Sequence, residues 1–256
     1  MTKTLKVIAI IGLFSFLLYS CKSPETDFRL QGSLILLDSI NVDGIDSVQY
    51  QIIQGYRAEL AAEMGRLLVY SEQVIERGTP EGLLNNFVAD LVLEKGHQLY
   101  SPADEHPIDF CLLNYGGLRV PLPKGEITFE RVFELLPFEN EMVVITLSGE
   151  KILELFQYLS VSSVGMPLAG ARLTIANGQP ASILIQDQEF DIKRNYKVLT
   201  SDYLAGGGDS MGFFLQPLNY ELLGMRVRDA IIHHMQQVHK RGERITSQLD
   251  GRISYL

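Results

Sequence analysis

Basic residues are scarce in this chain: 22 Lys and Arg stand against 31 Asp and Glu, a formal charge of −9 at pH 7 over 256 residues. A nucleic-acid surface needs clustered Lys and Arg, so a polymer partner of that kind is excluded. A small anionic ligand is not, because a few Arg in one pocket act locally. Cysteine is almost absent, with Cys21 and Cys111 alone. Cys111 lies in the apolar stretch 108–113 and reads as a buried structural thiol. Histidine is also sparse: His97, His106, His233, His234 and His239. Two-metal hydrolysis needs a dense set of Asp, His and Asn ligands. Asp104-Glu105-His106 meets only the bare Asp-x-His pattern, with no Gly-Asp-x-x-Asp, Gly-Asn-His or Gly-x-His after it. His233 and His234 are adjacent on a helical stretch, one expected toward solvent and one toward the core, with no third ligand nearby. A Gly-x-Ser-x-Gly elbow and a Cys-His pair are missing too, so covalent catalysis has no candidate. No catalytic residue and no metal ligand is assigned.

Long apolar runs are limited to one, residues 7–18, preceded by Lys3 and Lys6 and followed by Leu18-Tyr19-Ser20-Cys21. A short basic start, an apolar core too brief to span a bilayer stably and small residues at the cut describe a signal peptide. The Cys directly after the small residue resembles a bacterial lipoprotein signal; a plain secretory signal with a chance Cys is the alternative. The expectation is that residues 1–20 are removed and Cys21 is lipidated, each buried methylene adding about 0.8 kcal/mol of anchoring. The mature charge would then be −11, and no internal disulfide could form. The chain would be exported and held on a bacterial membrane. Lys22 after the Cys, rather than Asp, suits the outer membrane or its periplasmic face. Residues 21–45 read as a lipidated tether and linker, and 46–256 as one folded domain.

Residues 34–37 could pair as a short strand. At 47–68, Ile52, Ile53, Tyr56, Leu60, Met64 and Leu67 recur at helical spacing, opposite a charged face. A second helix is expected over 80–95, with Leu84, Phe87, Val88, Leu91 and Val92 inward and Thr79-Pro80 at its start. Further on, strands are expected at 107–113, 142–147, 171–176, 182–185, 196–200 and 252–256. Helices are expected at 128–135, 149–158 and 225–238. Intermixed elements without strict βαβ periodicity indicate a layered α/β (α+β) sandwich, a mixed sheet with flanking helices. Neither repeats nor low-complexity tracts interrupt it.

Four segments are poorly explained by packing alone. Asn114-Tyr115-Gly116-Gly117-Leu118-Arg119 sets paired glycines after a strand, where backbone can approach a ligand, beside the planar fork of Arg119. Leu136-Pro137-Phe138-Glu139-Asn140 places an aromatic after a proline and near an amide. The stretch from Thr200 through Tyr203, Gly206, Gly207 and Gly208 to Asp209 holds an aromatic and a carboxylate around three glycines. Asp250-Gly251-Arg252-Ile253 reads, by itself, as a turn into a strand.

Taken in order, and with Gly125-Glu126-Ile127-Thr128 and Leu147-Ser148-Gly149 between them, these segments resemble the C-terminal, substrate-binding domain of the 5′-nucleotidase family. The resemblance runs from about residue 47 to 253. It implies roles position by position. Phe138 and Tyr203 would sandwich a nucleobase, a sequence-tolerant grip worth about 1–3 kcal/mol per base. Asn114 would read the base edge, Asp209 would accept from the ribose hydroxyls and Arg119 would reach the phosphate. Gly116, Gly117 and Gly207 would let the backbone pass close, and Asn140 completes the Leu-Pro-Phe-x-Asn motif. Out of that context Phe138 reads as a core aromatic, Asp209 as a turn carboxylate and Asn114 as an Asx-turn residue.

Two departures from the family pattern stand out. The upstream helix reads Leu84-Asn85-Asn86-Phe87, and a second phosphate-directed Arg is not identified; the nearest basic residue is Arg77. The last motif continues Gly208-Asp209-Ser210-Met211 instead of Gly-Asp-Gly and an aromatic. Because whole family members carry a separate metallophosphatase domain, the resemblance implies grip without cleavage here. The expected role is substrate recognition for an exported nucleotidase or nucleotide-sugar hydrolase, with divalent metal only in a partner metallophosphatase. A non-catalytic nucleoside- or nucleotide-binding lipoprotein for capture or sensing is the alternative, and a degenerate domain kept for protein contacts is a third reading.

Overall fold

In the computed structural model, residues 47–256 are described. Cys21 and the strand expected at 34–37 lie outside them. The first element, α1 (Ser47–Met64), forms where the helical spacing places it, yet none of its side chains is buried. Ile52, Ile53, Tyr56 and Leu60 are all exposed. Periodicity decides which residues share a face; burial needs a packing partner as well. Leu67 does not extend the helix. Gly65 donates to the Ala61 carbonyl at 2.9 Å and ends it, and Leu67 opens β1 (Leu67–Ser71).

After β1 come α2 (Leu83–Leu99), β2 (Phe110–Leu112), β3 (Gly125–Thr128), α3 (Phe129–Leu135), β4 (Glu141–Leu147) and α4 (Gly149–Val161). The chain continues through β5 (Leu168–Ala169), β6 (Ala171–Ala176), β7 (Gln179–Ile185), β8 (Gln188–Glu189), β9 (Tyr196–Ser201) and α5 (Asp202–Ala205). It closes with β10 (Asn219–Arg226), α6 (Val227–Lys240) and β11 (Ile253–Tyr255). A mixed five-stranded sheet, ordered β10-β4-β9-β2-β5, is the centre; β1-β3 and β11-β6-β7-β8 form two smaller sheets.

The central strands are nearly continuous apolar runs because both faces of that sheet are covered. Along β4, Met142 and Val144 enter one core with α2 and α6, while Val143, Ile145 and Leu147 enter the other with α4. Alternation on a pleated strand requires this division. Cys111 is fully buried on the first side, between Phe110 and Leu112 on the second. Burial pushes its thiol pKa well up, which leaves it inert. Full burial of a residue such as Phe156 contributes roughly 1.5–3 kcal/mol.

The helix expected from Pro80 begins at Leu83, where Gly82 precedes it in extended conformation. Buried Asn85 and Asn86 explain the upstream departure structurally. Asn85 Nδ2 donates to the Gly165 carbonyl at 2.6 Å, and Asn86 Nδ2 to that of Gln248 at 2.9 Å. Arg252 likewise is a pin, gripping Asp90 through two bonds of 2.6 and 3.0 Å and thereby tying the start of β11 to α2.

Candidate functional site

The site begins with strand order. β9 runs parallel to β2 and antiparallel to β4. The C-terminal ends of β2 and β9 and the N-terminal end of β4 therefore lie at one end of the sheet. β2 leads into a 3-10 turn at Tyr115–Gly117. β9 leads into α5, which carries Tyr203, and the loop 136–140 leads into β4. Met142 is in register with Ser201, so the two aromatic-bearing segments leave adjacent strands side by side.

Between them is a cavity of about 270 Å³ lined by Asn114, Gly116, Arg119, Phe138, Asn140, Tyr203 and Asp209. Seven of the nine residues singled out from sequence meet there. Gly117 and Gly207 do not line it. Gly117 is buried beneath Asn114, whose Oδ1 would lie 2.8 Å from any added Cβ. Gly207 has φ +85°, a left-handed turn that favours glycine. Size alone would select another place, because a groove of about 550 Å³ lies beside α2 and α6. Its charged wall is already satisfied by the Arg252, Asp90 and Asp250 bonds, which leaves little unmet chemistry.

Phe138 and Tyr203 are 40% and 44% exposed, which leaves ring surface open to a flat partner. Tyr203 lies flat on Gly208: a Cβ there would come within 2.5 Å of the ring. Its hydroxyl donates to Asp209 Oδ1 at 2.7 Å and accepts from the Asp209 N–H at 3.1 Å. Asn114 Nδ2 donates to the other oxygen, Oδ2, at 2.9 Å. The carboxylate is thus held from two sides, on a residue with φ 52°. Donating its hydrogen bond to Asp209 raises the Tyr203 hydroxyl above the usual phenol range. Tyr158, edge-on to Phe213, is raised by burial and then by the Asp209 charge. Arg119 is exposed and donates to the Gly116 carbonyl at 3.2 Å.

Sequence reasoning missed several residues around the cavity. Arg228, 3% exposed, projects from α6 and donates to the carbonyls of Leu136 at 3.3 Å and Phe138 at 3.2 Å. It also pairs with Glu139 and lies 4.1 Å from the Phe133 ring centre. Some 90 positions separate it from Phe138, so no local pattern could have marked it. Asp202 was within reach, next to Tyr203 in the same motif. Arg77 stacks on Tyr115 at 4.3 Å and donates to its carbonyl, buttressing the Asn114 turn without lining the cavity. Among the described residues, Arg119 is the only basic one that lines it.

Among the described residues, no group of three or more His, Cys, Asp or Glu is placed to hold a metal ion. Asp104 is tied to Lys197 and to the His106 backbone N–H, as a loop anchor would be. His234 meets the core ring of Phe87 edge-on at 5.8 Å and is the more buried of the two, while His233 is turned toward solvent, the division expected of adjacent helix positions.

Comparison with known proteins agrees with this architecture. A 5′-nucleotidase from Vibrio vulnificus is 28% identical over 105 residues, 40% of this chain and 19% of the relative. An apyrase from Tabanus yao is 27% identical over 252 residues, 88% of this chain and 44% of the relative. In structure, a 5′-nucleotidase precursor from Thermus thermophilus superposes with a TM-score of 0.67 at 22% identity, covering 82% of this chain and 43% of that one. The chain thus spans less than half the length of each of these relatives. The family model for the 5′-nucleotidase C-terminal domain matches residues 63–216, and the chain belongs to that family.

Proposed function

We propose that this protein is the substrate-binding half of an exported 5′-nucleotidase or nucleotide-sugar hydrolase. A nucleobase lies between Phe138 and Tyr203, Asn114 reads its edge, Asp209 accepts from the ribose hydroxyls, and Arg119 meets the phosphate. Phosphoester cleavage comes from a separate metallophosphatase that carries the divalent metal ions. The observation behind this reading is the convergence of seven motif residues, drawn from three distant segments, on one cavity. Two exposed aromatics, a diol-accepting carboxylate and a guanidinium are the chemistry that a nucleotide presents in complement. Lipidation at Cys21 would keep both halves on one membrane, raising their effective concentration where most relatives rely on covalent linkage.

Two measurements test it. Calorimetry with adenosine and AMP should give saturable binding that Phe138→Ala and Tyr203→Ala each weaken; unchanged binding in both variants would refute the site. Phosphate release by an equimolar mixture with an exported metallophosphatase should exceed that of the metal-bearing protein alone. Binding without any gain in the mixture would favour a capture or sensing lipoprotein. Mass spectrometry of the membrane-fraction protein should find acyl chains on Cys21, and an unmodified Cys21 would remove the anchor.

A further inference from the structure

The two aromatic walls come from segments with different supports, and their separation matters. A flat base between two rings needs a gap of roughly 7–8 Å, twice the optimal carbon–carbon separation. An error of about 1 Å forfeits a quarter to a half of the dispersion contact on one face. Something must therefore fix the distance between the backbone at Phe138 and the backbone at Tyr203.

The β4–β9 ladder supplies part of this. Its backbone pairing ends at Met142 and Ser201, just short of both walls. Beyond that rung a side chain takes over. Asp202 Oδ1 accepts the N–H of Tyr203 at 2.7 Å and the N–H of Glu141 at 3.1 Å. One oxygen thus holds the residue that bears the second wall and the residue that ends the loop of the first. The same end of that loop is also tied to α6, where the Val227 N–H donates to the Asn140 carbonyl at 3.0 Å. Asp202 itself does not line the cavity. We propose that Asp202 is a positioning residue that sets the gap between Phe138 and Tyr203, and so governs base affinity without touching the base. This rests on the nucleoside-binding reading above.

The loss expected on substituting Asp202 is selective. Asp202→Ala should weaken adenosine binding about tenfold, as for a misplaced stacking wall. Ribose 5-phosphate, which has no base, should change by no more than about twofold. Asp202→Asn keeps a carbonyl oxygen at the shared position and should recover most of the adenosine affinity. Asp202→Glu keeps the charge but moves the oxygen by one methylene, and should show the selective loss again, even if the Ala variant fails to fold. Equal losses for both ligands, no loss for adenosine, or an Asn variant no better than Ala would each overturn the proposal.

A ligand-free readout separates this from failure of the nucleoside reading. The chain has no tryptophan, so Phe138→Trp places a single reporter in the first wall. Adding Asp202→Glu should shift its emission to the red and lower its anisotropy while the far-ultraviolet circular dichroism stays the same. Unchanged emission and anisotropy would overturn the positioning role whether or not adenosine binds. Absence of adenosine binding in the unmodified protein, with the tryptophan shift present, would remove the nucleoside reading and leave Asp202 as the spacer of two walls.

Discussion

Phe138 and Tyr203 face one cavity, but the forces holding them differ. The Phe138 loop is strapped from outside by charge: Arg228 reaches two of its carbonyls and Glu139, and Arg226 adds a second contact to Glu139 at 2.9 Å. The Tyr203 ring is held within its own segment, lying on Gly208 and bonded at its tip to Asp209. One wall thus depends on a distant helix, and the other on residues five and six positions away. A remote strap couples the first wall to global packing, whereas the second can be disturbed without unfolding anything.

Gly208→Ala strikes the second wall alone. Its φ is not left-handed, so the backbone accepts Ala, but the new methyl would occupy the space of the Tyr203 ring. Adenosine affinity should fall about 5- to 100-fold, as in Tyr203→Ala, with the melting temperature nearly unchanged. A calorimetric titration beside a thermal melt decides it; retained affinity would mean that the ring does not lie where the structure places it.

Arg228→Met should do the reverse and act first on stability. It orphans two carbonyls and deletes the contact with Phe133, a loss of about 1–3 kcal/mol and several degrees in melting temperature. Glu139 is largely exposed, so Glu139→Gln should have a much smaller effect on the melt. Similar melts for the two variants would show that the exposed ion pair, and not the carbonyl bonds, forms the strap.

The walls should also loosen at opposite ends of the pH scale. The Arg228 bond, followed by the charges of Arg228 and Arg226, holds the Glu139 carboxyl below its ordinary value of 4.5. A lowered folded-state pKa stabilises above the unfolded value and is lost as pH falls through the folded one, so the Glu139 contact, the smaller part of this strap, is lost only in acid. Tyr203 is raised above its ordinary 10.0 by donating to Asp209. A raised pKa stabilises below the unfolded value and is lost as pH climbs through the folded one, so the Tyr203 hydroxyl gives up this bond in alkali. Adenosine affinity should be flat between those limits. Tyr203→Phe keeps the ring, should change affinity at neutral pH least of all these variants, and should erase the alkaline decline; persistence of that decline would assign it to another group.

Much of the architecture was readable because local chemistry dictated it. Strand β6 falls where its alternation places it, and Thr128 caps α3 through its hydroxyl, accepting the Arg131 N–H at 3.3 Å. Other elements were hidden. β10 went unread because Asn219, Glu221 and Gly224 break the apolar pattern of an edge strand, where one side needs no burial. The first two residues of β1 fell within the expected helix over 47–68 because Leu67 happens to keep helical phase. The apolar stripe of α1 was legible, but its exposure was not.

By itself the sequence determined the chemical parts of this protein: the acidic balance, the two ring-bearing motifs, the glycines that permit close approach, and the carboxylate and guanidinium beside them. Residue type and short-range order carry that information because rotamers, turns and charge are local properties. Only the tertiary structure decided that Asn114 and Asp209, 95 positions apart, share a hydrogen bond, that Arg228 straps the first wall, and that one oxygen of Asp202 holds the backbone of both. Those contacts follow from the pairing of β4, β9 and β2 and from the docking of α6. They are set by how two cores pack across one sheet, which no window of neighbouring residues encodes.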